Sequence, residues 1–374
     1  MAGLFVVGAR GLGPATFGVV VAHFAAGTAA AGFFDFGGNS LWVRDLANGQ
    51  RSTTEIRDRA VSKLMLGTAM AGGWLLVVSR LDPLAWIAPS TFLAVLSYQT
   101  SGVWLRGAAR AVPVAIAALV ERFTAAIGIG IAAAIGQLNE VEFVIALNAG
   151  TLIAAGLLAL LTPDRWSSRF RLRNPWSGAL FYGLFSAASA IQRLDVNVLN
   201  LASGATAAGV YGAVNRWTQP IGLFANAFST ASAPFVAGAA TEAEAWAIVR
   251  RGLWLPMLGV LIAVGFAVAA PLLVPFLLGE SYIGAVGVLQ ILALATIPGI
   301  ANQILATFLQ SRGADKPVAI VVLTSSLVSI GVVIVFAPDL GALAAAMGVV
   351  VLHLAGLAGM AAVAAVLRRE RRGK

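Results

Sequence analysis

The chain has 374 residues, of which 59% are hydrophobic and only 11% charged, with a mean hydropathy of +0.88 and a formal net charge of +9. A soluble domain carries about 25% charged residues, so a single water-soluble core is excluded. The cations are dispersed in short segments between apolar runs rather than gathered on one basic patch, which excludes nucleic acid as a partner. Those runs, roughly 18 to 25 residues each, can cross about 30 Å of hydrocarbon as helices, and they are too long and too uniformly apolar for the alternating strands of a membrane barrel. With no cysteine, disulfides and thiolate metal sites are also excluded.

In chain order the apolar periodicity predicts eleven full spans, near 16–38, 62–80, 85–104, 120–137, 141–162, 176–198, 207–235, 252–272, 286–309, 318–336 and 342–367. Ahead of them Met1 to Gly8 would give only about 12 Å of helix, too little to cross; it is read as a short first helix, and Met1 as a start that truncates a twelfth span. Met1 to Val7 does not read as a cleavable signal peptide. Trp42 to Lys63, Arg106 to Arg122 and Gly238 to Arg251 mix apolar and charged residues and are expected as interfacial helices. The outer loops are short, the longest expected around Leu272 to Ala285.

Assigned to alternate loops, 21 of the 25 Lys and Arg residues fall on one side. By the positive-inside rule that side is cytoplasmic and holds the C-terminus, which places the chain as a multi-pass protein of a bacterial inner membrane. The segment Gly13 to Val20 (GPATFGVV) is echoed by Gly204 to Gly212 (GATAAGVYG), each opening a span. With Arg165 to Arg173 as linker, the echo predicts two helical bundles in parallel repeat, residues 1–170 and 171–374.

Polar side chains are costly in hydrocarbon and turn toward protein or an aqueous path. At about 100° per residue, Tyr182, Ser186, Ser189, Arg193, Asn197 and Asn200 share roughly 80° of arc, expected as one stripe on one helix. Tyr211, Asn215, Gln219, Asn226 and Ser229 do the same on the next, with Arg216 at the flank, and Asn302, Gln303 and Gln310 follow later. The serines fit ordinary interhelical hydrogen bonding. Arg193 and Arg216 do not, because acids to pair with them are scarce: Asp195 sits two residues from Arg193 and so on another face. A ligand bringing its own negative charge would complete such a site. Asp195 and Asp35 are candidates for ion coupling, Asp35 also for a cap or a pair with Arg44. His23 and His353 lack acidic or thiol neighbours in sequence, so no metal or cofactor is expected.

The residues Leu12 to Gly18 (LGPATFG) and Phe34 to Ala47 (FDFGGNSLWVRDLA) resemble the pattern LGPxxYG…DLGLxxxLVRxLA of polysaccharide (O-antigen-type) flippases. Gln192 to Gly204 (QRLDVNVLNLASG) with Ala208 to Arg216 (AGVYGAVNR) resembles that family's DxxxLxxxxGxxxxGxYxxAxR, and Leu278 to Ala293 (LGESYIGAVGVLQILA) its GxxYxxAxxxLxxLA. The resemblance covers nearly the whole chain and places it in the multidrug/oligosaccharidyl-lipid/polysaccharide (MOP) exporter superfamily.

It implies an all-α integral membrane fold of two six-helix bundles around a central cavity, MATE-like, here eleven full spans plus a short first helix. It further implies alternating access, with a polyprenyl-pyrophosphate-linked oligosaccharide moved between leaflets for lipopolysaccharide or other polysaccharide biosynthesis. Asp35, Arg44, Asp195, Tyr211 and Arg216 match family positions; Arg193 is this sequence's own. On this reading Arg193, Asn197, Asn200, Asn215, Arg216, Gln219 and Asn226 bind substrate, the partners are a lipid-linked oligosaccharide, membrane lipids and Na+ or H+ as coupling ion, and the chain is not an enzyme. Two alternatives stay open: a MATE-like drug or metabolite exporter, and a membrane glycosyltransferase, polymerase or ligase on the same lipid.

Overall fold

A computed structural model describes residues 2–78, 80, 82–162 and 170–372. Met1, Lys374 and the linker cations Arg165 and Arg169 lie outside the described residues. Within them the regular structure is entirely helical: α1 (Ala2–Asp35), α2 (Gly38–Ala47), α3 (Thr53–Val78), α4 (Ile87–Ser101), α5 (Val103–Gly107), α6 (Ala111–Ala134), α7 (Glu140–Leu160), α8 (Leu180–Gln192), α9 (Asp195–Gly238), α10 (Glu242–Gly252), α11 (Trp254–Leu278), α12 (Ala285–Ser311), α13 (Asp315–Leu340) and α14 (Ala342–Arg372), with a short 3-10 turn at Glu280–Tyr282. The chain divides into two compact units, residues 3–197 and 198–374.

Eight of these helices are long and apolar enough to cross a membrane: α1, α3, α6, α7 and α11 to α14. The other spans expected from sequence fall on α4, of 15 residues, on α8, of 13, and on α9. Polar side chains keep α9 less apolar than its 44 residues would otherwise make it. Gly238 to Gly252 does contain a short separate helix, α10, and Trp42 lies on another, α2. In contrast, Arg57 to Lys63 and Ala111 to Arg122 are the first turns of α3 and α6 themselves rather than separate interfacial helices. The outer connection expected near Leu272 to Ala285 shrinks, because α11 runs on to Leu278 and α12 starts at Ala285.

Both α1 and α9 are broken by a glycine. Gly13 adopts φ 73°, ψ 164° and Gly204 φ 83°, ψ 172°, a region essentially closed to residues with a Cβ. At Gly13 the following Pro14 adds a second reason, since the residue before a proline is pushed out of the helical region. These are the two glycines of the sequence echo, so the repeated motif encodes a repeated backbone break. At the first break the chain reverses. In a straight helix Phe5 and Phe24 would stand about 28 Å apart, yet their rings meet at 6.0 Å, and Phe5 also packs edge-to-face on Phe17 (5.9 Å) and on Phe143 of α7 (5.8 Å). The short first helix, residues 2–12, is therefore folded back on residues 14–35.

Inside each unit small polar groups tie helices together, as expected where neither partner gains from leaving water. Asn148 of α7 donates to Ser90 Oγ at 3.1 Å and accepts from Thr91 at 3.3 Å on α4, and Thr151 donates to Glu121 of α6 at 3.2 Å. In the second unit Asn302 donates to the His353 carbonyl at 2.6 Å and Ser329 to the Gly348 carbonyl at 2.7 Å. Apolar rows such as Phe123, Ile127, Ile131 and Ile135 on α6, and Leu261, Val268, Leu272 and Phe276 on α11, point outward and stay exposed. Contiguous apolar surface of that kind is suited to lipid, not water.

Replacing Gly13 or Gly204 by alanine should cost about 1–3 kcal/mol each, the usual cost of forcing a Cβ into this backbone region. The measurement is the Tm of the detergent-purified variants: both are expected to unfold below the parent, while Gly72→Ala, at an open helical position, should not.

Candidate functional site

The residues expected to bind substrate divide between the units. Arg193, Asp195 and Asn197 belong to the first; Asn200, Asn215, Arg216, Gln219 and Asn226 belong to the second. The single continuous stripe expected from Tyr182 to Asn200 is corrected by the structure. Helix α8 ends at Gln192, Arg193 and Leu194 form a turn, and α9 starts at Asp195, so the helical register does not carry across.

Ser186 of α8 donates to the Gly32 carbonyl of α1 at 2.7 Å. Asn197, its amide turned with nitrogen toward the carbonyl, donates to Ala22 O at 2.8 Å and accepts from Ala26 N–H at 3.1 Å. Those two backbone groups are hydrogen-bond partners one turn apart in an ideal helix, so Asn197 inserts itself into the ladder of α1.

Arg193 is exposed at the helix break, and no carboxylate lies within ion-pair distance of it among the described residues. Asp195 is half-buried and accepts from Val196 N–H at 2.7 Å. In the second unit Asn215 and Arg216 are half-buried and Gln219 and Asn226 exposed, the three amides within about 40° of arc on α9. Tyr211, on the same side, is fully buried. Asn200 is half-buried on the turns before the Gly204 break.

The most strongly built polar centre lies elsewhere in the first unit. Lys63, one turn inside the charged start of α3, is completely buried, and its Nζ donates to Asp35 Oδ1 at 2.7 Å and to Asn39 Oδ1 at 2.6 Å. The same Asp35 oxygen accepts the Asn39 N–H at 3.2 Å, and the ammonium stands 4.2 Å from the Trp42 ring centroid. Asp35 therefore pairs with Lys63, not with Arg44, which bonds Asp45 at 2.8 Å and lies over the Tyr182 ring. The hydrogen bond to Asp45 raises the Arg44 pKa above its ordinary value.

The sequence reading counted Lys63 only as a loop cation and so missed it. The available signal was the placement of Asp35 and Lys63 at the ends of consecutive spans with opposite charge. The geometry allows it because Gly37 and Gly38 turn the chain sharply between α1 and α2. Asn39 and Trp42 are thereby brought back over Asp35.

Around this pair the arginines are not loose loop charges. Arg51 bonds Asp45 at 2.8 Å, Arg59 bonds Glu55 at 3.0 Å, and Arg57 bonds Asp58 at 2.8 Å. Arg59 also donates to the Asn174 carbonyl at 2.8 Å, fastening the segment after the linker onto α3. At another place in the unit His23 meets Asp82 at 3.1 Å, a partner the sequence did not show. The Leu84 N–H, and after it the His23 ring, hold the Asp82 carboxyl below its usual pKa. No group of three or more His, Asp or Glu side chains suited to a metal occurs among the described residues.

No family model and no curated protein matches the sequence. Solved structures do match in fold. An inward-facing multidrug resistance MATE family transporter of the MOP superfamily superposes with a TM-score of 0.78 at 15% identity, covering 100% of this chain and 96% of that one. The lipid II flippase MurJ in an inward closed conformation gives 0.75 at 12% identity over 96% and 84%. A MOP superfamily transporter from Pyrococcus furiosus gives 0.62 at 16% identity over 99% and 92%.

The fold is that of the MOP superfamily transporters. Together with the eight apolar helices, it makes this a multi-pass membrane protein of transporter architecture. At these identities the likeness is one of fold, and the narrower oligosaccharide-lipid reading must be argued from the residues.

Removing one member of a buried ion pair leaves the other charge without compensation, at a cost of about 3–5 kcal/mol, whereas replacing both by apolar groups is far less damaging. Lys63→Met and Asp35→Leu should each abolish or strongly lower the yield of monodisperse protein, and the double variant should recover most of it. Size-exclusion profiles and Tm in detergent measure this; a double variant as impaired as the two single ones combined would show that the groups do not act as a pair.

Proposed function

We propose that the protein is a flippase that moves a polyprenyl-pyrophosphate-linked oligosaccharide from the cytoplasmic to the outer leaflet of a bacterial inner membrane, by alternating access, for surface polysaccharide synthesis. The observation that carries this reading is Arg193: an exposed guanidinium at a helix break, with no carboxylate within ion-pair distance among the described residues. A cation kept without a counter-ion in an apolar protein suits a cargo that supplies the anion. Electrostatic attraction is strengthened there because the surroundings are less polar than water.

In this proposal Arg193 in the first unit and Arg216 in the second hold the pyrophosphate or acidic sugars. Asn200, Asn215, Gln219 and Asn226 bond sugar hydroxyls. Asn197 joins them when its contact with α1 opens. The polyprenyl chain stays in lipid, so only the head group needs polar contacts. Asp195 and Asp35 are the proposed positions for Na+ or H+ coupling, and the cation asymmetry of the loops places the C-terminus in the cytoplasm. The lipid II flippase among the fold relatives supports the choice of a lipid-borne cargo.

A second reading, a MATE-like exporter of drugs or metabolites, is favoured by the TM-score of 0.78 to such a transporter. It calls for an acidic rather than basic binding surface for cationic drugs, which the pair of arginines opposes.

The test is flipping of a fluorescently labelled lipid-linked glycan in proteoliposomes. A hydrogen bond to a charged group contributes about 1.5–3 kcal/mol, so Arg193→Ala and Arg216→Ala should each slow flipping about tenfold or more, with Arg193→Lys intermediate. Unchanged rates in both alanine variants would overturn the assignment. Transport of a cationic drug without any flipping would establish the second reading in its place.

A further inference from the structure

A pocket of about 160 Å³ opens in the first unit where the start of α3 meets the ends of α4 and α7 and the short helix α5. None of the residues proposed above for transport lines it, and what it could hold does not depend on the cargo. Along α3 its wall changes character. Thr53, Thr54 and Arg57 form the first part, and Ala60, Val61 and Leu64 continue it over the next two turns. The facing wall adds Thr100 and Trp104.

Two features point to a ligand. Thr100 is 1% exposed and its hydroxyl has no hydrogen-bond partner, although it lines the pocket; a buried hydroxyl left unmatched is unfavourable. Arg57 is also buried, and its guanidinium offers five N–H donors, of which Asp58 takes one through Nη2 at 2.8 Å. A phosphate can share this guanidinium with the carboxylate, and the N-terminal end of α3 adds a favourable partial positive charge. Glu55, the other acid of this turn, is already paired with Arg59.

The position along the helix identifies the source of that phosphate. Beyond Leu64, α3 exposes Met65, Leu66, Met70, Leu75, Leu76 and Val77, an apolar face matched to acyl chains. The pocket therefore sits where a charged helix start passes into a lipid-facing band, the depth of bilayer head groups. Its volume is below the roughly 300–1,000 Å³ typical of drug-sized sites, enough for a head-group phosphate and the first methylenes of a chain. We propose that this pocket binds the phosphate of an anionic membrane lipid through Arg57 and the Thr100 hydroxyl, with the acyl chains lying along the outward face of α3.

Native mass spectrometry of the purified full chain, titrated with phosphatidic acid, with diacylglycerol of the same chains, and with inorganic phosphate, tests this. Phosphatidic acid should bind at one tight site, while diacylglycerol and inorganic phosphate do not. Arg57→Gln should weaken that site about tenfold or more, in line with loss of a charged hydrogen bond. Thr100→Val removes an unpartnered hydroxyl, so it should leave the unliganded Tm unchanged or raised while weakening phosphatidic acid several-fold; it therefore decides the matter even if Arg57→Gln folds poorly. Equal retention of phosphatidic acid by parent and Thr100→Val would overturn the proposal. Diacylglycerol binding as tightly as phosphatidic acid would show an apolar groove instead, and inorganic phosphate competing at the same site would show a free-anion site; either result overturns the lipid assignment.

Discussion

Backbone groups facing hydrocarbon have no water to bond with, so each must find its partner inside the protein. That constraint turns every apolar run of this chain into a helix and makes each interruption expensive. The breaks that do occur are therefore few and built: Gly13 and Gly204 in the same backbone conformation, and the turn at Arg193 and Leu194. Breaks expose polar backbone, and they are also where this chain places polar side chains. Asn197 enters the ladder of α1 a few residues after one of them, and Arg193 stands on another.

Charge in the first unit is handled in two different ways. The Asp35–Lys63 pair is buried, multiply hydrogen-bonded and capped by the Trp42 ring, so its strength comes from exclusion of solvent and its cost from desolvation. The arginines nearer the surface, by contrast, hold single carboxylates or carbonyls at the start of α3 and contribute modestly one by one. Together they anchor the residues after the linker to α3 through Asn174. A unit joined in this way presents few cations unmatched by acids, which gives Arg193 its significance.

Transporters as different as a multidrug exporter and a lipid II flippase share this fold at 12–15% identity with the chain. Cargo is therefore written in the side chains that project from a common set of helices, not in the helices. Arginine with amides favours an anionic, hydroxyl-rich head group; carboxylates would favour cations. The same logic separates the pocket at Arg57 and Thr100 from the transport residues, since its mixed wall matches a lipid of the surrounding bilayer rather than a sugar.

Hydrophobic periodicity alone determined that the chain is helical and membrane-borne, because burial in lipid demands long apolar segments whatever their packing. The sequence echo at Gly13 and Gly204 was also legible, since only glycine tolerates the backbone conformation both positions adopt. Helix interruption at Arg193 and Leu194 was not, because neither residue is a helix breaker; packing of α8 on α1 through Ser186 and the hold of Asn197 accompany it. Nor was the burial of Lys63, since a lysine at a span end reads as a loop charge until Asp35, Asn39 and Trp42 are folded over it. Composition and period depend on local chemistry, which the sequence carries in full; ion pairs and pockets depend on which distant residues are brought together, and only the tertiary structure decides that.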